Sequence, residues 1–154
     1  MPESAGQILK HDKTRETFSK EERLTRKKLI DKLTSTGASI KVTSFVLVHL
    51  HQTLPCPYPA QVMVTVSKRN FKRAHDRNRI KRLMREAYRK QKQTVYEVLE
   101  NKRSQATLMI IFTGRSLPDQ AYTFGKISEL LRRYTSHLAN ANDADEKAGT
   151  DSQQ

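Results

Sequence analysis

Between Asp76 and Glu100 the chain runs for 25 residues without a glycine or a proline. Its apolar residues there fall at Ile80, Leu83, Met84 and Ala87 and again at Val95, Val98 and Leu99, the spacing of one apolar stripe on a long helix. A helix with a single apolar stripe has to cover something, and the flanking sequence offers strands for it to cover. Residues 42–51, VTSFVLVHLH, are rich in β-branched and aromatic types and read as one strand. After the PCPYP break at 55–59, residues 61–67 alternate Val62, Val64 and Val66 with Gln61, Met63 and Thr65. They read as a second strand, antiparallel to the first across the proline loop. Residues 106–113, ATLMIIFT, form a short continuous apolar run ended by Gly114, the pattern of a buried strand. Upstream, Ser19 and Glu22 have capping-box spacing, and leucines at 24, 29 and 33 lead to Gly37, so a first helix of about four turns is expected. Downstream, Pro118 opens a last helix carrying Tyr122, Ile127, Leu130, Leu131 and Tyr134. The order is α-β-β-α-β-α, a single α/β domain built as an α+β sandwich.

The domain is expected over residues 18–138. Residues 1–17 and 139–154 are polar, lack periodicity and hold too little apolar surface to offset their ordering entropy, so both are read as disordered tails. The N-terminus has no apolar stretch of signal-peptide length, and the longest apolar runs, Phe45–Val48 and Leu108–Phe112, are too short to span a bilayer. One cysteine, Cys56, excludes an internal disulfide framework and multi-cysteine metal sites and fits a reducing compartment. No membrane partner and a cytoplasmic location are the expectations.

Charge is where the sequence becomes informative. Of a formal net charge of +13, the window Lys68–Lys92 contributes +10, with twelve basic residues against Asp76 and Glu86. With Ile80 at zero and about 100° per residue, Leu83, Met84 and Ala87 lie within about 60° of it. Asn78, Lys81, Arg82, Arg85, Arg89 and Lys92 fall between about 100° and 200° on the same scale. A solvated helix face normally carries acids for i,i+4 ion pairs, and this one has almost none. Neighbouring like charges such as Lys81/Arg85 and Arg85/Arg89 cost a few tenths of a kcal/mol each, which an anionic partner would offset. The arginine share favours phosphate groups, and RNA or DNA over a membrane surface.

The stretch VSKRNFKRAHDRNRIKRLMREAYR, Val66 to Arg89, resembles the signature of the protein subunit of bacterial ribonuclease P. There a strand ending in Ser-Lys leads into an Arg-Asn-Arg motif, then Lys-Arg and a further Arg; here these are Ser67-Lys68, Arg77-Asn78-Arg79, Lys81-Arg82 and Arg85. The resemblance extends over residues 18–138. It implies a ribosomal-protein-like mixed sheet in which the basic helix joins two parallel strands by a left-handed βαβ crossover. It also implies a monomer that assembles 1:1 with ribonuclease P RNA and contacts precursor tRNA. The RNA would perform the Mg2+-dependent hydrolysis that releases the 5′ leader, with no protein side chain holding a metal or acting as a catalyst. The RNA-binding residues so implied are Lys68, Arg69, Lys72, Arg73, Arg77, Asn78, Arg79, Lys81, Arg82, Arg85 and Arg89. The chain departs from the family at Lys72-Arg73-Ala74, where Gly-Asn-Ala is common. In the groove for the leader, Ile30 and Thr34 occupy the matching helical region and Phe45 with Val48 the strand; Phe45 alone is aromatic, so leader binding is expected to lean on Lys41 and backbone charge.

Other residues attract ordinary readings. His49 and His51 sit at i, i+2 without a third ligand and are expected to pack or face solvent. His75 lacks a titratable partner, Glu21 and Glu22 read as cap charges, Cys56 as a passive loop thiol, and Phe71 and Tyr88 as packing at the ends of the basic helix. A ribosomal or chaperone-like RNA binder is the main competing function. A helix-turn-helix regulator lacks its short preceding helix, and a self-sufficient nuclease lacks a spaced carboxylate set.

Overall fold

The computed structural model describes the backbone of residues 18–152 and the side chains of residues 18–140. A 3-10 turn at Lys20–Glu22 precedes helix α1 (Lys27–Thr36), strands β1 (Ala38–Val42), β2 (Phe45–His51) and β3 (Ala60–Val66), helix α2 (Ala74–Asn101), strand β4 (Ala106–Phe112) and helix α3 (Gln120–Ser152). The expected N-terminal tail lies outside the described residues. At the other end, composition reads residues 139–154 as a tail, yet the backbone of α3 continues to Ser152. Leu138 is the last buried residue of that helix among the described side chains.

The sheet order is β1-β2-β4-β3. This corrects the expectation that β2 and β3 pair antiparallel across the proline loop. β4 lies between them, antiparallel to β2 and parallel to β3. Its almost wholly apolar sequence is the reason: six of its seven residues are buried, and only a central strand, covered on both faces, can use a continuous apolar run. Strand β1 is absent from the sequence reading because its residues, ASIKV, are mostly exposed at the edge and carry little periodicity. It joins β2 through Thr43 and Ser44, with Ser44 at φ 69°. That tight turn has neither the glycine nor the asparagine that marks most two-residue hairpins.

The first helix is also shorter than expected. Glu22 accepts the Ser19 N–H at 2.7 Å, the half of the capping box that Glu22 supplies, but the turn it caps ends at once. Leu24 N–H donates instead to Val62 O at 2.9 Å, and Arg23 bridges Val62 in parallel. The edge of β3 captures this segment as a partial fifth strand, so α1 starts only at Lys27. Gly37 ends α1 as expected, though at φ −71° it is not left-handed. Its glycine is required by close approach, since a Cβ there would lie 2.5 Å from Leu33 O and 2.9 Å from Val48 Cγ1.

Helices α2 and α3 cover one face of the sheet, enclosing Phe45, Leu47, Val62, Val64, Ile80, Met84, Leu108, Ile110, Phe112, Ile127, Leu130 and Tyr134. Helix α1 covers part of the other, where Leu24, Leu33 and Met109 are buried and Ile30, Val48, Leu50, Met63 and Ile111 are half-buried.

Pairing sets the hand of the β3–α2–β4 unit. Thr113 N–H donates to Ser44 O on the β2 side, and Ala106 N–H donates to Pro59 O on the β3 side. Backbone groups alternate sides along a strand, so Ala106, Leu108, Ile110 and Phe112 turn theirs toward β3. The side chains of the same four residues enter the layer that holds Ile80, Met84 and Leu99 of α2. In an upward strand, an L-residue whose side chain points at the viewer has its N–H and C=O on the right. Seen from α2, β3 therefore stands to the right of β4, and the connection steps from right to left. The crossover is left-handed, against the strong right-handed preference of such units.

His49, on the α3 side of β2, is buried, with its ring 5.0 Å from Tyr134 and 5.1 Å from His137. Burial first, then the charges of His137 and His51, lowers its pKa from 6.5 to about 4. The fold thus favours neutral His49: its contribution is fully present above the unfolded value near 6.5 and is lost as pH falls toward 4. Thermal melts between these limits should show a loss on the order of 1–2 kcal/mol that is missing in His49→Leu. Equal acid sensitivity in the two proteins would contradict this assignment.

Candidate nucleic-acid interface

The basic segment begins in the loop that leaves β3, and three contacts make that loop rigid. Phe71 is buried against Phe112, with ring centroids 5.9 Å apart. Asn70 Nδ2 donates to Thr113 O and Gly114 O, both at 3.3 Å, tying the loop to the end of β4. Arg77 reaches back from the first turns of α2, its Nη1 donating to Phe71 O at 2.7 Å and Lys72 O at 2.9 Å. Lys68, Arg69, Lys72 and Arg73 are thereby held exposed around the start of the helix. Arg77 is the arginine of the Arg-Asn-Arg motif that shapes the loop; Asn78 and Arg79 are exposed.

Along α2 the buried residues are Ile80, Met84, Ala87, Tyr88, Lys92, Val95, Tyr96 and Leu99. Arg82 and Arg85 are exposed and Lys81 is half-buried. Among the described residues no acid forms an ion pair with Arg79, Lys81, Arg82 or Arg85. The ordinary reading of a charged helix face holds at Arg89, which forms a two-point pair with Glu86, at 3.0 and 2.9 Å.

Lys92 departs from the helical wheel. It is buried and paired with Glu22, whose carboxylate also accepts the Tyr96 hydroxyl at 2.5 Å. The segment 18–24 lies along this part of α2, so a position that the wheel turns outward is covered. Glu22 is therefore more than a cap charge. Burial, reinforced by Tyr88 and Glu22, pushes the Tyr96 phenol far above its usual range, so it stays a donor. Phe71 and Tyr88 are packing residues, as expected.

The leader-groove positions do not come together. Ile30 and Val48 share the apolar cluster under α1, and Lys41 is exposed on β1. Phe45 is wholly buried on the opposite face, 5.0 Å from the Phe112 ring. Phe45 and Val48 are three residues apart on one strand, and a period of two sends them to opposite faces. The residues in line with Lys41 across the sheet are Val46, Ile111 and Thr65, all half-buried. Sequence reasoning missed them; counting alternation from Val48 would have found Val46.

Cys56 is half-buried, and burial above all raises its thiol pKa, in keeping with a passive thiol. No group of three or more His, Cys, Asp or Glu placed to hold a metal occurs among the described residues. No helix among them is long and apolar enough to cross a membrane.

A family model described as Ribonuclease P matches residues 18–135, from Phe18 through most of the packed length of α3. The chain belongs to the Ribonuclease P family. Among curated relatives, the Ribonuclease P protein component of Porphyromonas gingivalis strain W83 is 42% identical over 60 residues, 39% of this chain and 44% of that protein. That of Chlorobium phaeobacteroides is 36% identical over 85 residues, 51% of this chain and 53% of that protein. The matched part spans about half the length of these relatives. The solved RNase P protein of Staphylococcus aureus superposes with a TM-score of 0.56 at 17% identity, covering 75% of this chain and 96% of that one. The mixed four-stranded sheet with its three helices is thus the architecture of a Ribonuclease P protein.

Proposed function

We propose that this chain is the protein component of a ribonuclease P ribonucleoprotein. It binds the catalytic RNA through the outward face of α2 and thereby promotes endonucleolytic removal of the 5′ leader in tRNA maturation. The observation that carries this reading is the run Arg79, Lys81, Arg82 and Arg85 without acidic partners among the described residues, opening from a loop that exposes four further cations. Side chains at i, i+3 and i+4 spacing leave the helix from Cβ atoms about 5–6 Å apart, which lets their charged ends reach successive phosphates of one strand. Each can present two parallel N–H donors to one phosphate. In this reading the protein supplies position and charge, and the RNA with its Mg2+ supplies the chemistry, in the cytoplasm and at one protein per RNA.

The precursor leader lies along the α1 side of the sheet, where Lys41 offers charge and Ile30, Val48 and Val46 offer apolar surface. Phe45 has no part in it. Equilibrium binding checks this division of labour. Adding the protein to ribonuclease P RNA should raise affinity for a leader-bearing precursor tRNA and leave affinity for mature tRNA nearly unchanged. An equal gain for both would remove the leader from the protein's surface.

A further inference from the structure

The segment in front of α1 brings a cation of its own to the basic helix. Phe18 stacks edge-on to Tyr88 at 5.7 Å, and the Arg23 guanidinium lies 5.5 Å over the Phe18 ring. The segment is fixed on three sides: Glu22 pairs with Lys92 inside, Leu24 N–H bonds to Val62 O, and Gln61 Nε2 donates to Glu21 O at 2.9 Å. Extended backbone at Arg23, φ −92° and ψ 131°, turns successive side chains to opposite sides. With Glu22 directed inward, Arg23 points out, beside the α2 turn that carries Arg85 and Tyr88. The two arginines feel one another: Arg85 has its pKa lowered, first by partial burial and then by the charge of Arg23. Neither has an ion-paired acid among the described residues. Two like charges on one built scaffold, with Glu22 engaged by Lys92, form a place that an anion between them would stabilise.

We propose that Arg23 and Arg85 close on a single RNA phosphate from two sides, Arg85 from α2 and Arg23 from the edge segment. The site rests on the RNA-binding reading of α2 and extends it to a part of the chain outside the basic window. Its ligand is a backbone phosphodiester, which the flat forks of two guanidinium groups can grip by four donors.

The test is binding of the full chain to a bacterial ribonuclease P RNA transcript at several salt concentrations. Each phosphate neutralised adds about 0.7–0.9 to the log–log salt slope. If both arginines hold one phosphate, Arg23→Ala and Arg85→Ala each weaken binding several-fold with the slope nearly kept. Arg23→Ala/Arg85→Ala then lowers the slope by one such step. Arg23→Lys and Arg85→Lys, which keep charge and lose the fork, should weaken binding with no change of slope. A one-step fall in each single variant and a two-step fall in the double variant would mean two separate phosphates and would overturn the shared site. So would an unchanged affinity in Arg23→Ala while Arg82→Ala still weakens binding. If Arg82→Ala also has no effect, the failure lies in the RNA-binding reading of α2. Matching thermal midpoints across the set exclude loss of fold as the cause.

Discussion

Lys92→Met is expected to destabilise the protein by about 3–5 kcal/mol, because it strips the cation from a carboxylate that has no route to water. Glu22 and Lys92 are both almost fully buried, at 1% and 5% exposure. With Lys92 gone, the partners left to the Glu22 carboxylate among the described residues are the Ser19 N–H and the Tyr96 hydroxyl. Two hydrogen bonds do not replace an ammonium in a low-dielectric site. The double variant Glu22→Gln/Lys92→Met should recover most of the loss, since removing both charges of a buried pair is often near neutral. Chemical denaturation of the two variants beside the parent checks this. A loss under 1 kcal/mol in Lys92→Met would mean that the pair is solvated and does not clamp the edge segment to α2. Because the same pair holds the segment that carries Arg23, Lys92→Met should also weaken RNA binding under conditions in which the domain remains folded.

The pairing of Lys92 also shows where the sequence stops being legible. The helix, its apolar stripe and the outward row Lys81, Arg82 and Arg85 follow from local spacing and lie where that spacing puts them. Lys92 belongs to the same angular sector, yet its surroundings are decided by residues 18–24, about 70 positions earlier in the chain, and no periodicity reports a contact of that range. Strand pairing fails for a related reason. The apolar runs mark β2, β3 and β4, but which strand is central depends on burial of both faces of β4, and proximity in sequence favoured the wrong neighbours. Arg77 carries the motif, although its guanidinium serves the loop backbone, a use that only the folded path of residues 71–72 creates. Phe45 is the exception, since strand alternation from Val48 by itself places it on the face opposite α1.

Reversing charge on the outward face, with Lys81→Glu/Arg82→Glu, should cut affinity for ribonuclease P RNA by at least about 100-fold near 0.1 M salt and lower the salt slope by about 1.4–1.8. Two phosphate contacts are lost, and two repulsions replace them at positions outside the buried core. Little stability is at stake, because neither residue takes part in an ion pair among the described residues. Arg132→Glu, on the exposed side of α3, serves as the charge-matched control for the single reversal Arg82→Glu and should move affinity far less. A similar fall for both proteins would mean that net charge, rather than this helix face, drives binding.

The most direct measurement is 5′-leader cleavage of a precursor tRNA at low millimolar magnesium. The arms are ribonuclease P RNA alone, the protein alone, the two together, and the RNA with the Lys81→Glu/Arg82→Glu protein. Efficient cleavage only with RNA and unaltered protein together is the predicted result. Cleavage by the protein alone, or full stimulation by the charge-reversed protein, would contradict the account.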